Sequence, residues 1–513
     1  MAPDRLAQPG DLSPADASSP AELLRYRSAH GRWVVAAMVL GSSVAGIDST
    51  VVAVALPAIG RNLDASFQAL QWTVTSYTLT LASLILLAGS LSDRWGRRRV
   101  FLVGLGWFTL ASVLCAAAPG IEWLIAARAV QGIGGALMTP ASLAIIEATF
   151  EPGDRTIAIG TWAGFSGVSA AIAPFVGGWL LEAGSWRAIF LINVPVAAVT
   201  GWTTRRHVPE SRDTSQSGSA DWPGALAGVA ALAAITYAII VLPAAGAASA
   251  QFAAAGALGV VSAAAFVVIE RRASHPLLPP AIFASARFRA ANAVTFVVNG
   301  ALGGFAFVFI PALEIVAGYS PVVAGSALVP VTAVTLLLSG ASGRLAQRIG
   351  PRPQIVAGCL LCAVASMLAV RVGPQASYWT VVFPVALLFG FGLASLLPPL
   401  TASAMNSAPD AQAGLASGVN NAVARVAGLL WIAALPPVTG LIGAAYTDPV
   451  QFRSSFSDIS WICAAAFTGG AALGAAFITR SSRPAPERPA LIQTPVPHLA
   501  CPVALRPTSG QAR

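Results

Sequence analysis

Apolar residues run through this chain in long blocks, and only short polar breaks separate them. A bilayer core takes about 20 apolar residues per helix. With that window the chain divides into fourteen expected spans. The first six cover about 33–56, 71–91, 100–118, 123–146, 156–181 and 187–204; the next two cover about 222–243 and 250–269. The last six cover about 292–316, 322–342, 353–371, 378–400, 414–438 and 458–479. Runs this long predict helices, because a segment in lipid has to satisfy its own backbone N–H and C=O groups.

The polar breaks repeat. Gly89, Leu91, Arg94, Gly96 and Arg98 match Gly343, Leu345, Arg348, Gly350 and Arg352 at a constant offset of 254 positions. Ser166–Gly177 matches Ser417–Gly428 at an offset of 251, with seven of twelve positions identical or nearly so. Two echoes at nearly one offset predict a chain built from two related halves. The expected organisation is a disordered cytoplasmic tail (1–32), a six-helix bundle (33–204), a linker with two extra transmembrane helices (205–291), a second six-helix bundle (292–479) and a disordered cytoplasmic tail (480–513). The fold class expected is all-α and polytopic.

Composition agrees. Of 513 residues, 56% are hydrophobic and 10% charged, with a mean hydropathy of +0.72. Soluble domains carry about 25% charged residues, so three soluble domains are excluded. The net charge of +9 invites nucleic acid as a partner until the charges are placed. Every one of the 30 basic residues is Arg, and 24 fall on one side of the expected spans. Arg61, Arg187, Arg371 and Arg453 fall on the other, and Arg128 and Arg425 lie inside spans. That bias orients the chain with both termini cytoplasmic and removes a nucleic-acid role. Cys359 and Cys362 form a CxxC inside an apolar run with no second pair, which reads as packing. The four histidines, at 30, 207, 275 and 498, fall in expected loops or tails and suggest no metal site.

Ionisable groups in the hydrocarbon layer are costly and therefore mark function. Asp48 in the first span and Arg128 in the fourth are the main candidates, with Arg425 in the thirteenth and Glu147 and Glu314 nearer span ends. At 1.5 Å per residue, Asp48 lies roughly 13 Å from the outer end and Arg128 roughly 8 Å, so the two can share a level. A carboxylate there is pulled between desolvation, which favours the neutral acid, and the Arg, which favours the anion. Such a group is suited to loading and releasing a proton; a permanent structural ion pair is the alternative. Gln131, Asn193, Glu314, Asn421 and Arg425 are candidates to face a substrate cavity.

In the fifth span, Gly164, Gly167, Pro174, Gly177 and Gly178 allow close helix approach and a kink. In the first charged turn, Gly89 and Gly96 are expected to bend the backbone, with Arg94, Arg97 and Arg98 held at the cytoplasmic side. Asp93 is placed to pair with an Arg or to cap a helix, and a contact made in one orientation of the halves would act as a latch.

These stretches resemble a known family. Gly89–Arg99 is similar to the signature loop of the major facilitator superfamily. Asp48-Ser-Thr-Val-Val-Ala-Val-Ala-Leu-Pro57, Arg128-Ala-Val-Gln-Gly-Ile-Gly-Gly135, Ala173-Pro-Phe-Val-Gly-Gly178 and Trp186-Arg-Ala-Ile-Phe-Leu-Ile-Asn-Val-Pro195 resemble, in order, motifs of its fourteen-span drug:proton antiporters. The likeness runs from about residue 33 to 480. It implies the major facilitator fold, two six-helix bundles around a central cavity plus two inserted helices. It also implies export driven by inward proton flow, with Asp48 and Arg128 in proton coupling. Three positions depart from the pattern: Ala173 stands where the family usually has Gly, Gln347 stands at the counterpart of Asp93, and Glu314 stands where relatives often carry Gln.

The expected function is a proton-coupled exporter of amphipathic, drug-like compounds in the bacterial plasma membrane. It would work as a monomer among membrane lipids with no cofactor beyond the proton gradient. The alternatives are a dedicated exporter of one self-made secondary metabolite and a transport-inactive membrane sensor or scaffold. An enzyme would want a His/Ser/Asp or metal cluster at an interface, and the sequence offers none.

Overall fold

The computed structural model describes residues 23–212, 221–274, 276–407 and 413–478. The first half holds α1 (Ala29–Leu63), α2 (Phe67–Trp95), α3 (Arg97–Ala116), α4 (Ile121–Thr149), α5 (Pro152–Glu182), α6 (Ala188–Leu191) and α7 (Asn193–His207). A hairpin follows, α8 (Trp222–Ala245) and α9 (Ala250–Arg272). The second half holds α10 (Ala286–Ile315), α11 (Pro321–Ser326), α12 (Val329–Ile349), α13 (Pro351–Ala369), α14 (Phe383–Met405), α15 (Ala413–Val438) and α16 (Pro449–Phe477).

Among the described residues, 12 helices are long and apolar enough to cross a membrane, taking Pro321–Ile349 and Tyr378–Met405 each as one. Fourteen were expected; the fifth falls on α5, of 31 residues, and the sixth on α6 and α7, interrupted at Ile192, and neither is among the 12. Pro195 lacks the N–H that would bond Leu191 and carry the helix through. Polar caps stand where the polar breaks end: Ser28, Ser66, Asp221, Ser249, Ser285 and Asp448 each accept a backbone N–H in the first turn that follows.

The repeated charged turn is narrower than its sequence suggests. Gly89 lies inside α2 and Gly343 inside α12, so neither bends the chain. The break falls on Gly96 alone in the first copy, at φ 108°, and on Gly350 in the second, at φ 85°. Both values lie where a side chain is strained.

Small residues set the closest helix packing. An added Cβ at Gly134 would lie 2.6 Å from the Phe108 backbone N and 2.8 Å from Gly104 O, which joins α3 to α4. Gly358 and Gly392 do the same for α13 and α14. The hairpin packs through α8 on α2 and α15, with Gln68 Nε2 donating to Ile240 O at 3.3 Å.

Among the described residues, the largest core shared by the two halves lies toward one end. A single buried cluster there runs from Val51–Leu70 of the first half into Phe305–Leu313 of the second. The Phe67 ring lies tilted against those of Phe307 and Tyr446, with centroids 6.2 and 4.9 Å apart. Toward the other end lie a first-half cluster around Val34, Phe101 and Ile146, against which Ala422 of the second half packs, and a second-half cluster around Phe288 and Val419. The structure is thus sealed at the end that carries Pro57.

Two expectations are revised here. Residues 23–28 are not a free tail: Leu24 exchanges backbone bonds with Thr149 and Glu151 at 2.8 and 3.1 Å, and Tyr26 N donates to Asp154 at 2.8 Å. Residues 1–22 and 479–513, which hold the rest of both expected tails, lie outside the described residues. His30 and His207 sit on helix ends rather than in loops, with ring centroids 5.8 Å apart; His275 and His498 lie outside the described residues.

Candidate functional site

Asp48 and Arg128 meet. Asp48 sits in the middle of α1 and Arg128 two turns into α4, and Arg128 Nη1 donates to Asp48 Oδ2. Each residue is 1% exposed. The other carboxylate oxygen, Oδ1, accepts from Gln131 Nε2 at 2.8 Å and from Asn193 Nδ2 at 3.0 Å. Gln131 lies one turn after Arg128, so its Oε1 also accepts from Arg128 Nη1, at 2.6 Å. Arg128 Nε donates to Thr73 O of α2 at 3.2 Å, where the carbonyl is reached from across the bundle. Ser112 of α3 completes the ring, its hydroxyl accepting from Gln131 at 2.8 Å and from Asn193 at 3.2 Å.

This wiring is what makes the pair tolerable. Burying two ions costs several kcal/mol each, and their attraction offsets that only when the remaining lone pairs and protons are used. The break at Ile192 brings Asn193 to Asp48, so the interrupted sixth span has a structural consequence. The guanidinium of Arg128 also lies 4.3 Å from the centre of the Tyr77 ring and 5.9 Å from that of Phe190. The Tyr77 hydroxyl is buried without a hydrogen-bond partner and lies within electrostatic reach of Arg425 on α15. Tyr77 therefore stands between the ion pair and the second half.

Gln131 and Asn193, expected on a cavity surface, are 0% and 2% exposed and serve Asp48 instead. The reason is geometric: an isolated carboxylate needs donors, and these two amides are the ones at its level. Asn421 and Arg425 are half-buried on α15. The neighbouring Asn420 makes the buried polar contact, donating to Asn292 Oδ1 at 3.1 Å and Thr295 Oγ1 at 2.9 Å. Glu314 is half-buried near the end of α10, on the sealed side. Glu147 is exposed near the end of α4.

Sequence reading missed Ser112, Thr73, Tyr77, Gln71 and Asn420. Ser112 is a single hydroxyl in an apolar helix, which gives a weak signal. Gln71 Nε2 donates across the halves to Ile432 O and Ala433 O at 2.7 and 3.0 Å, carbonyls freed by the prolines at 436 and 437.

In the charged turn, Asp93 Oδ1 accepts from Arg97 Nε and Nη2 at 3.1 and 2.8 Å, so its ion pair stays within the first half. Arg94 lies in the last turn of α2. Arg98 Nη1 donates to Val208 O at 3.0 Å. Glu210, unnoticed in the sequence, accepts from the backbone N of Arg98 and Arg99 at 3.0 and 3.2 Å and caps α3 where Gly96 cannot. In α5, an added Cβ at Gly178 would lie 2.6 Å from Pro321 O, and one at Gly177 would lie 2.7 Å from Val51 Cγ1. The Pro174 carbonyl packs against Gly325 of α11. The surroundings of Gly164 and Gly167 on α5 lie outside what is described.

The comparisons with known proteins are consistent with this geometry. The family profile described as Major Facilitator Superfamily matches residues 38–433. The chain is 35% identical over 404 residues to the methylenomycin A resistance protein of Streptomyces coelicolor, covering 78% of this chain and 84% of that one. It is 33% identical over 423 residues to the tetracenomycin C resistance and export protein of Streptomyces glaucescens, covering 82% and 77%. Among solved structures it is similar to a peptide transporter, POT, in complex with sulfate, with a TM-score of 0.63 at 14% identity over 88% of this chain and 97% of that one.

Proposed function

We propose that this chain, which belongs to the Major Facilitator Superfamily and is a multi-pass membrane transporter, exports amphipathic drug-like compounds across the bacterial plasma membrane in exchange for protons. The observation that carries this reading is the sealed Asp48–Arg128 pair at mid-bundle, which is costly to bury and is held by three side chains, Ser112 of α3, Gln131 of α4 and Asn193 of α7, together with the Thr73 carbonyl. Relatives whose names record resistance to methylenomycin A, and resistance to and export of tetracenomycin C, support the substrate class.

In this reading the present arrangement faces inward, since the sealed end carries Pro57 and the Arg bias puts that end outside. A proton taken up at Asp48 leaves Arg128 without its counter-charge. Arg128 keeps Gln131 Oε1, Thr73 O and the Tyr77 face, and Tyr77 passes the change toward the seam with α15. Because interfaces are bistable, a small shift there is enough to favour the other orientation. The proton leaves to the inside when the pair re-forms.

The test is proton-driven uptake in inverted vesicles. Asp48→Asn should abolish uptake driven by a pH gradient; full activity in that variant overturns the coupling role. A second reading, a dedicated exporter of one metabolite, is favoured by the fact that each of these relatives is named for a single compound. A susceptibility panel on expressing cells separates the two.

A further inference from the structure

The hairpin α8–α9 carries two buried acids that the export reading does not use. Asp221 caps the start of α8 and Glu270 stands in the last turn of α9; they are 9% and 4% exposed. Each spends one oxygen on a backbone N–H. Asp221 Oδ1 accepts from Gly224 N at 2.8 Å, and Glu270 Oε2 accepts from Leu278 N at 2.8 Å. The remaining oxygens, Asp221 Oδ2 and Glu270 Oε1, are buried without a hydrogen-bond partner. No ion pair among the described residues includes either acid. Both free oxygens reach the same spot: a Cβ added at Gly224 would lie 2.6 Å from Asp221 Oδ2 and 3.0 Å from Glu270 Oε1. An apolar cluster adjoins them, made by Leu87 and Leu91 of α2 with Ala225 and Leu277. Buried charges are paired or coordinate metal ions, and two carboxylate oxygens converging on one point are ligands for a hard cation.

We propose that Asp221 and Glu270 bind one divalent cation of the Mg²⁺ class, which ties the base of the hairpin to the segment entering the second half. Two carboxylates balance its charge. Such an ion commonly takes one or two carboxylates and keeps water in its other positions, whereas Ca²⁺ sites supply more protein oxygens. The placement gives the ion a structural role. Asp221 opens the hairpin after the first half and Glu270 closes it; through Leu278 N, Glu270 also holds the segment that leads to α10. The ion thus clamps the two ends of the inserted hairpin where the chain passes from one half to the other. Glycine at 224 belongs to the site, because a side chain there would crowd both oxygens. Nothing in this assignment depends on export or on proton coupling at Asp48.

The test uses the full chain in nanodiscs of phosphatidylcholine, which carries no net charge, after EDTA treatment and removal of the chelator. Mn²⁺ is the probe, because its free form is counted by electron paramagnetic resonance. The wild type should bind one Mn²⁺ more per chain than the double variant Asp221→Asn with Glu270→Gln, and Mg²⁺ should displace it. Each single variant should weaken that site about tenfold or more, since losing a ligand charge costs at least as much as losing an outer-shell partner. Asp221→Asn keeps a capping side chain, so it decides the matter if Glu270→Gln does not fold. Mg²⁺ should also raise the thermal midpoint of the wild type and not that of Asp221→Asn, because an ion that binds only the folded state stabilises it. Equal Mn²⁺ binding by the wild type and Asp221→Asn overturns the proposal, as does no binding at all. Two acids that share a proton would give either result.

Discussion

Asp48 and Arg128 form a buried ion pair whose hydrogen-bond partners all come from the first half. The pair is a unit whose members cannot be removed singly without cost. Breaking a buried pair leaves an uncompensated charge, worth about 3–5 kcal/mol. Asp48→Asn and Arg128→Gln should each lower the thermal midpoint in detergent. The double variant should recover most of that loss and still fail to transport under a pH gradient. Recovery of both stability and transport would make the pair purely structural.

Gly104 and Gly106 lie two residues apart on α3 but face different surroundings. A Cβ at Gly104 would lie 2.7 Å from Leu137 Cβ, whereas nothing lies within 4 Å at Gly106. Gly104→Val should destabilise the protein by about 2 kcal/mol through overpacking. Gly106→Val should leave the thermal midpoint near the wild-type value. Equal effects would refute the close packing of α3 on α4.

Gly178 and Gly325 let α5 and α11 touch backbone to backbone at the sealed end. Gly178→Val should prise that contact apart while leaving each half folded. Spin labels at Asn62→Cys and Ser320→Cys, in a background without native cysteines, should then report a longer mean distance than in the wild type. An unchanged distance would show that this contact does not hold the end shut.

Glu210 accepts three backbone N–H groups, those of Arg98, Arg99 and Ser211. Glu210→Ala should cost about 1 kcal/mol, the usual loss when a helix cap is removed. Glu210→Gln keeps an acceptor and should cost less. The comparison of the two midpoints in detergent checks the assignment, and equal losses would point to charge rather than capping.

Much of this architecture was legible in the sequence, and the reasons are local. Apolar blocks of bilayer length admit only helices, and arginines that avoid one side give them an expected orientation. The repeat at 254 positions located both glycine breaks, although it overstated the turn by including Gly89 and Gly343. Those two glycines carry no positive φ, and only the backbone itself distinguishes them from Gly96 and Gly350. Depth along a helix axis also brought Asp48 and Arg128 to one level, because rise per residue is fixed.

Rotation about the axis was not legible. Gln131 and Asn193 turn toward Asp48 and away from the seam, Asn420 rather than Asn421 makes the buried contact, and Glu210 reaches back to cap α3. Each of these depends on which helices are neighbours and at what angle they cross. The sequence determined where the long apolar segments lie and which charges fall within them, since these follow from composition and length. The tertiary structure alone decided which charges are paired, which end is sealed and what lines the seam, because hydrogen bonds and packing contacts are made between residues far apart in the chain.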